Sequence, residues 1–201
     1  MSTAKAHIVE AASRLMHLQG FNNTSIDDVL KECGIGKGNF YYYFKSKEEL
    51  GYAIIDNNLR QFTEHVIDKA FGNQKDALAQ VDDFLDIILE LYRERNCSGG
   101  CPMANMAMEM SDIHEGFRKK LQTVFEGWRI HLGTALRKAR AQGQLADHTD
   151  PTMLAQFVVA AVEGGILLAK LKRNMGILEN CFGEIKKHIR MYAAQDTPIS
   201  P

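Results

Sequence analysis

The chain is poor in the features that carry most enzyme chemistry. Its seven histidines, His7, His17, His65, His114, His131, His148 and His188, are scattered. None forms the His-x-x-x-His or Glu-x-x-His spacing that sets metal ligands on one helix face. There is no Gly-x-Ser-x-Gly elbow, and Gly34-Ile35-Gly36-Lys37-Gly38 lacks the spacing and preceding strand of a phosphate loop. The four cysteines, Cys33, Cys97, Cys101 and Cys181, show no zinc pattern and no secretory context, so reduced cytoplasmic thiols are expected. These absences argue against an enzyme, a metal site or a cofactor. No apolar run reaches the roughly 20 residues of a membrane span, and the N-terminus enters an amphipathic pattern directly. A cytoplasmic protein that is neither exported nor membrane-bound is expected. Four prolines in 201 residues, no low-complexity segment and no internal repeat leave a globular chain with a sizeable core. A formal charge of -1 leaves no general excess of positive charge over the chain.

Helical periodicity runs almost everywhere, with no competing strand pattern, so the fold class is all-α. The most informative stretch is Thr24-Ser25-Ile26-Asp27-Asp28-Val29 followed by Cys33 to Lys47. Thr24 or Ser25 caps a short helix, Asp27 and Asp28 favour its first turn, and Gly34 permits the left-handed conformation that ends it near Cys33. A second short helix then carries Lys37, Asn39 and the consecutive Tyr41, Tyr42 and Tyr43. Three adjacent tyrosines point in three directions around a helix, so at least one faces solvent. Exposed phenols and lysines suit a phosphate backbone, and Gly38 allows close approach to a groove. Basicity is local: between 31 and 47 stand Lys31, Lys37, Lys45 and Lys47, against Glu32 alone.

These residues resemble the N-terminal domain of TetR-family transcriptional regulators. The resemblance rests on Gly20-Phe21, the Thr-rich cap, the short helix, Gly34-Ile35, and the aromatic helix closing with Phe44-Lys45-Ser46-Lys47. It implies that Lys37, Gly38 and Asn39 face bases or the groove. Tyr41, Tyr42 and Tyr43 would hold phosphates, Lys47 would neutralise another, and Thr24 or Ser25 would add one more contact. Tyr43 stands where this family often has histidine. The expected division is a helix-turn-helix DNA-binding domain over 1–48, a ligand-binding and dimerisation bundle over 49–195, and a flexible tail over 196–201.

Beyond residue 48, Leu50, Ile54 and Ile55 begin a helix expected to run past Phe62. Further stripes run from Val81 to Tyr92 and from Phe117 to Leu136. Asp150 and Pro151 open an apolar helix carrying Phe157, Ala161, Gly165 and Leu168, and a last helix carries Phe182, Ile185 and Ile189. The spacing suits either intrachain core or a two-fold four-helix interface. The resemblance favours the interface, since these regulators are usually dimers through their last two helices.

Asn96 to Pro102 is a turn-rich break before a helical segment with Met103, Met106, Met108 and Met110. Together with Phe125 and Trp128 these are either ordinary core or a pocket for apolar or aromatic ligands. Glu109 and Glu163 interrupt apolar faces, where a carboxylate either orients a polar ligand or is structural. Cys101 is placed near a helix N-terminus, whose dipole favours a reactive thiolate, with Lys170 a cation that would lie nearby if the two helices pack. The segment from Gly100-Cys101-Pro102 to Asp112 looks like a feature of a TetR-type subgroup, some of which respond to electrophiles or oxidants. The expected function is a dimeric repressor released from a palindromic DNA operator by a small apolar or electrophilic effector or by cysteine modification. The competing reading is a helical protein-interaction module without DNA specificity.

Overall fold

The structure is a computed structural model that describes residues 3–193, with the backbone alone at Thr3. The tail expected over 196–201 lies outside the described residues. Every regular element among them is helical; the only β feature is an isolated antiparallel bridge between Leu145 and Ala193. The chain divides into two compact units, residues up to 62 with 99–124, and 63–98 with 125 onward.

The first unit holds α1 (Thr3–Gln19), α2 (Ile26–Cys33), α3 (Lys37–Tyr43), α4 (Lys47–Phe62), α7 (Pro102–Met110) and the start of α8 (Glu115–Ala141). α1 packs on α2 and α4, and α4 also meets α7. Ile8, Ala11 and Ala12 form the buried stripe of α1, while Leu15 is only half-buried. Gly20 ends α1 at φ +92°, a conformation that strains any side chain. Phe21 behind it is buried and meets Phe117 of α8 with ring centroids 5.0 Å apart. Gly51 of α4 makes that meeting possible, because a Cβ there would lie 2.6 Å from Phe117 and 2.7 Å from Phe21. α4 starts at a reciprocal cap in which the Glu49 amide donates to the Ser46 hydroxyl and the Lys45 amide donates to the Glu49 carboxylate.

In the second unit α4 gives way to a π-helical turn, Thr63–Ile67, and then α5 (Asp68–Phe71). α6 (Ala77–Glu94), the remainder of α8, α9 (Pro151–Lys172) and α10 (Met175–Arg190) complete it. Asp76 caps α6 by accepting from Ala79, and Asp150 caps α9 by accepting from Thr152 and Met153, with Pro151 in the first turn. α9 and α10 form a hairpin through Arg173 and Asn174, the latter capping α10. α10 runs antiparallel to α6, tied by Asp82–Arg190, Asp86–Lys186 and Glu179–Arg93. These pairs are largely exposed and each is worth little, so they set register more than stability.

One expectation needs correction. α9 is long and apolar enough by length and composition to cross a membrane. Counting uninterrupted apolar residues missed this, because Glu163 breaks the run without ending the helix. Leu154, Ala155, Val158, Val162 and Ile166 are nevertheless buried inside the protein, with α10 packed against α9.

Gly51→Ala should force Phe21 and Phe117 apart and destabilise the fold by about 1–3 kcal/mol, the usual cost of overpacking. Denaturant titration against the unsubstituted chain checks this, and a wild-type midpoint would contradict the close packing.

Candidate nucleic-acid interface

α2 is fixed at both ends by local chemistry. Ser25 is its cap: its hydroxyl accepts from the Asp28 amide at 3.1 Å, and the Asp28 carboxylate accepts from the Ser25 amide at 2.8 Å and hydroxyl at 2.6 Å. The Ser25 hydroxyl, and then its amide, hold the Asp28 carboxyl below its ordinary value. Gly34 closes α2 at φ +64° with its amide on Leu30 and Lys31 carbonyls. Thr24 is the exception among the expected contacts. It is fully buried, and its hydroxyl donates inward to the Gly20 carbonyl at 2.8 Å, so it braces the turn and is withdrawn from the surface.

Only Phe40 of α3 is buried, with Phe44 just beyond it, their ring centroids 5.8 Å apart. Each such burial contributes roughly 1.5–3 kcal/mol. The rest of the helix is presented outward. Lys37, Gly38, Asn39 and Tyr41 are exposed, and Tyr42 is 80% exposed. Tyr43 is half-buried, its ring edge-on to Tyr42 at 4.8 Å. No atom lies within 4 Å of where a Gly38 Cβ would point, so the helix face is open there. Lys37 does not stand alone, since its ammonium is 3.1 Å from Asp27 of α2.

Lys47, at the start of α4, reaches back to the α1–α2 turn. Its ammonium donates to the Asn22 carbonyl at 3.3 Å and sits 4.6 Å from the centre of the Phe21 ring. Burial lowers its pKa, partly offset by the Glu48, Glu109 and Asp28 carboxylates. Glu109 of α7 closes this arrangement: its two carboxylate oxygens accept from the Phe21 amide at 3.2 Å and the Asn22 amide at 3.0 Å. The sequence marked Glu109 only as a polar interruption, and nothing in its neighbourhood points 87 residues back to this turn. The Asp27–Lys37 pair is illegible for a different reason: each residue stands out in the sequence, but their partnership depends on the angle between two helices.

The effector candidates fall in both units. In the first, Cys101 caps α7, with its sulfur accepting from the Ala104 amide at 3.5 Å, and it is buried. Met103, Met106 and Met110 are buried along α7, whereas Met108 is exposed. In the second, Phe125 lies edge-on to Trp128 at 4.8 Å, and Trp128 is buried. Glu163 and Lys170 are both half-buried on α9. The dimer candidates also divide. Phe157 and Leu168 are exposed and Ala161 half-buried, while Gly165, Phe182, Ile185 and Ile189 are buried within the chain. Gly165 is buried because α10 comes close, with Cys181 3.1 Å from the position of a Cβ. No cluster of metal-ligating side chains occurs among the described residues.

Residues 8–54 match the family of bacterial regulatory proteins described as tetR, and residues 77–182 match the tetracyclin repressor-like C-terminal domain. The chain belongs to the TetR family. It is a DNA-binding transcriptional regulator and not an enzyme. A TetR-type relative, an uncharacterised HTH-type regulator of Lactococcus lactis subsp. lactis, is 31% identical over 186 residues, 92% of this chain and 93% of its own. The HTH-type transcriptional repressor NemR of Escherichia coli K12 is 25% identical over 188 residues, covering 92% of this chain and 93% of its own. The crystal structure of a regulatory protein TetR from Rhodobacter sphaeroides superposes with a TM-score of 0.86 at 29% identity, over 93% of this chain and 99% of that one.

The Asp28 cap carries a pH dependence. Because its folded pKa is depressed, the cap stabilises α2 above the ordinary carboxylate pKa and is lost as pH falls through the folded value. Stability measured against pH should therefore fall on the acid side, and Asp28→Asn should flatten that limb. An unchanged limb in the variant would contradict the assigned cap.

Proposed function

We propose that this TetR-family chain is a homodimeric repressor in which two copies read a palindromic operator, one half-site each. A small apolar or electrophilic effector, or modification of a cysteine, releases it. The observation that carries the two-copy reading is a stripe of outward apolar and small residues on α9, at Met153, Phe157, Ala160, Gly164, Leu168 and Leu171. Leu168 is 49% exposed and Leu171 67%. A stripe of this length left in water is what a partner covers, and a two-fold axis brings the same stripe of each copy together. Ala160 and Gly164 let the backbones approach closely. Phe182, Ile185 and Ile189 would support that face from behind as intrachain core.

In this reading residues 1–48 read DNA and 49–195 carry dimerisation and effector response. Lys37, Gly38 and Asn39 meet base edges, while Tyr41, Tyr42, Tyr43 and Lys47 hold phosphates; Ser25, both of whose donors are given to Asp28, shapes the end of α2 instead. One short helix reads few bases, and two placed about 34 Å apart read a palindrome. Release follows when an effector favours a state with a different spacing, at about 1.4 kcal/mol of differential binding per tenfold loss of operator affinity. The buried methionines of α7 and the Cys101 cap support an apolar or thiol-reactive effector. The operator lies in the cytoplasm, where the protein would act.

Replacing both Leu168 and Leu171 with Glu should yield a monomer by sedimentation and weaken operator binding by about two orders of magnitude as avidity is lost. A dimer that persists would contradict the α9 interface. Asp27→Asn should release Lys37 and remove one negative charge beside the groove, raising affinity for specific and random duplexes alike in salt-controlled titrations. Unchanged or weaker binding would show that Lys37 does not face the DNA.

A further inference from the structure

Glu109 occupies a position that no contact with DNA or effector accounts for. It stands on α7, yet both of its carboxylate oxygens are spent on backbone amides of the α1–α2 turn, Phe21 at 3.2 Å and Asn22 at 3.0 Å. A carboxylate accepting two amide donors is a strong, directional clamp. The turn is shaped to receive it. Gly20 has φ +92°, and a Cβ there would come within 2.9 Å of the Glu109 carboxylate, so any other residue would meet both strain and collision.

The same turn carries the next link. The Asn22 carbonyl accepts from the Lys47 ammonium, which rests against the Phe21 ring. Glu109 thus grips the amides of two residues whose carbonyl and ring hold Lys47. The Glu109 charge also favours the protonated form of Lys47 against the burial that opposes it. The anchor itself is steady: α7 packs on α4, and the Asn105 amide group donates to the Gly99 carbonyl at 2.7 Å at its N-terminal end.

We infer that Glu109 is a positioning residue for DNA binding, clamping the α1–α2 turn from α7 so that Lys47 is held where it meets a phosphate. The inference rests on the docking reading above. It has an unusual sign. A carboxylate close to a DNA-facing lysine should, through its charge alone, repel the nucleic acid, so its removal should tighten binding. A positioning role demands the opposite.

The test uses the full-length chain and one duplex carrying a selected operator, titrated over a range of salt. Glu109→Ala should weaken binding about tenfold and lower the slope of log affinity against log salt by about 0.9 per protomer, the value of one lost phosphate contact. Lys47→Ala should do the same, and the double variant should be no worse than either single one. Glu109→Gln, which keeps the side-chain length and one acceptor oxygen, should fall between wild type and Glu109→Ala and serves if the alanine variant does not fold. The Phe21 and Asn22 amides should lose hydrogen-exchange protection in Glu109→Ala while Val29 and Leu30 keep theirs. Asp112→Asn, an exposed carboxylate on the loop after α7, reports the effect of charge alone and should tighten binding slightly. Tighter binding by Glu109→Gln, an unchanged salt slope, or additive loss in the double variant would overturn the assignment. If Lys47→Ala itself leaves the slope unchanged, the docking reading fails first and takes this inference with it.

Discussion

A seven-residue helix does not persist in water by itself, because the cost of nucleating it exceeds what so few hydrogen bonds return. α3 is such a helix, and almost all of its surface lies outside. Its one buried residue, Phe40, and the buried Phe44 that follows must therefore hold that exposed face in place. Everything else in the first unit serves that constraint. The Ser25–Asp28 box and Gly34 fix α2, Thr24 ties the preceding turn to Gly20, and α1 and α4 supply the floor. Phe21, Phe117 and Gly51 then lock the turn to α4 and α8, with Glu109 adding a polar grip from α7.

The compact unit that presents α3 is larger than a helix-turn-helix: α4, α7 and Glu115 to Val124 of α8 belong to it. α7 begins at the Cys101 cap and, two turns later, carries the carboxylate that holds the α1–α2 turn. The second unit solves a different problem. α9 is apolar on more than one side, and a single chain can cover only the side toward its own core and α10.

What was legible in the sequence is what local chemistry determines. Caps and stops act within four residues, so the Thr24-Ser25 pair, Gly34, Asp150 and Pro151 marked the helix ends where the structure has them, while the choice of Ser25 and its return bond from Asp28 came from the structure. The outward tyrosines of α3 were legible because no seven-residue helix can bury three adjacent phenols. Residues paired across distance were not. The Glu109 clamp spans 87 residues, and no period or motif encodes it. Thr24 looked like a surface cap because threonine so often is one, whereas its hydroxyl had a nearer carbonyl at Gly20. Along α9 and α10, apolar spacing could not decide which residues face a partner. Packing of the two helices on one another made Phe182, Ile185 and Ile189 internal and left Phe157 and Leu168 outward.

The central claim is that two copies present paired α3 helices to a two-fold DNA site. Selection of the purified protein on a randomised duplex library at fixed salt, followed by mass measurement of the selected complex, tests it most directly. The account predicts enrichment of inverted repeats with half-site centres about ten base pairs or a multiple apart, bound by two protomers. Enrichment of single half-sites bound by one protomer, or no enrichment at all, would contradict it.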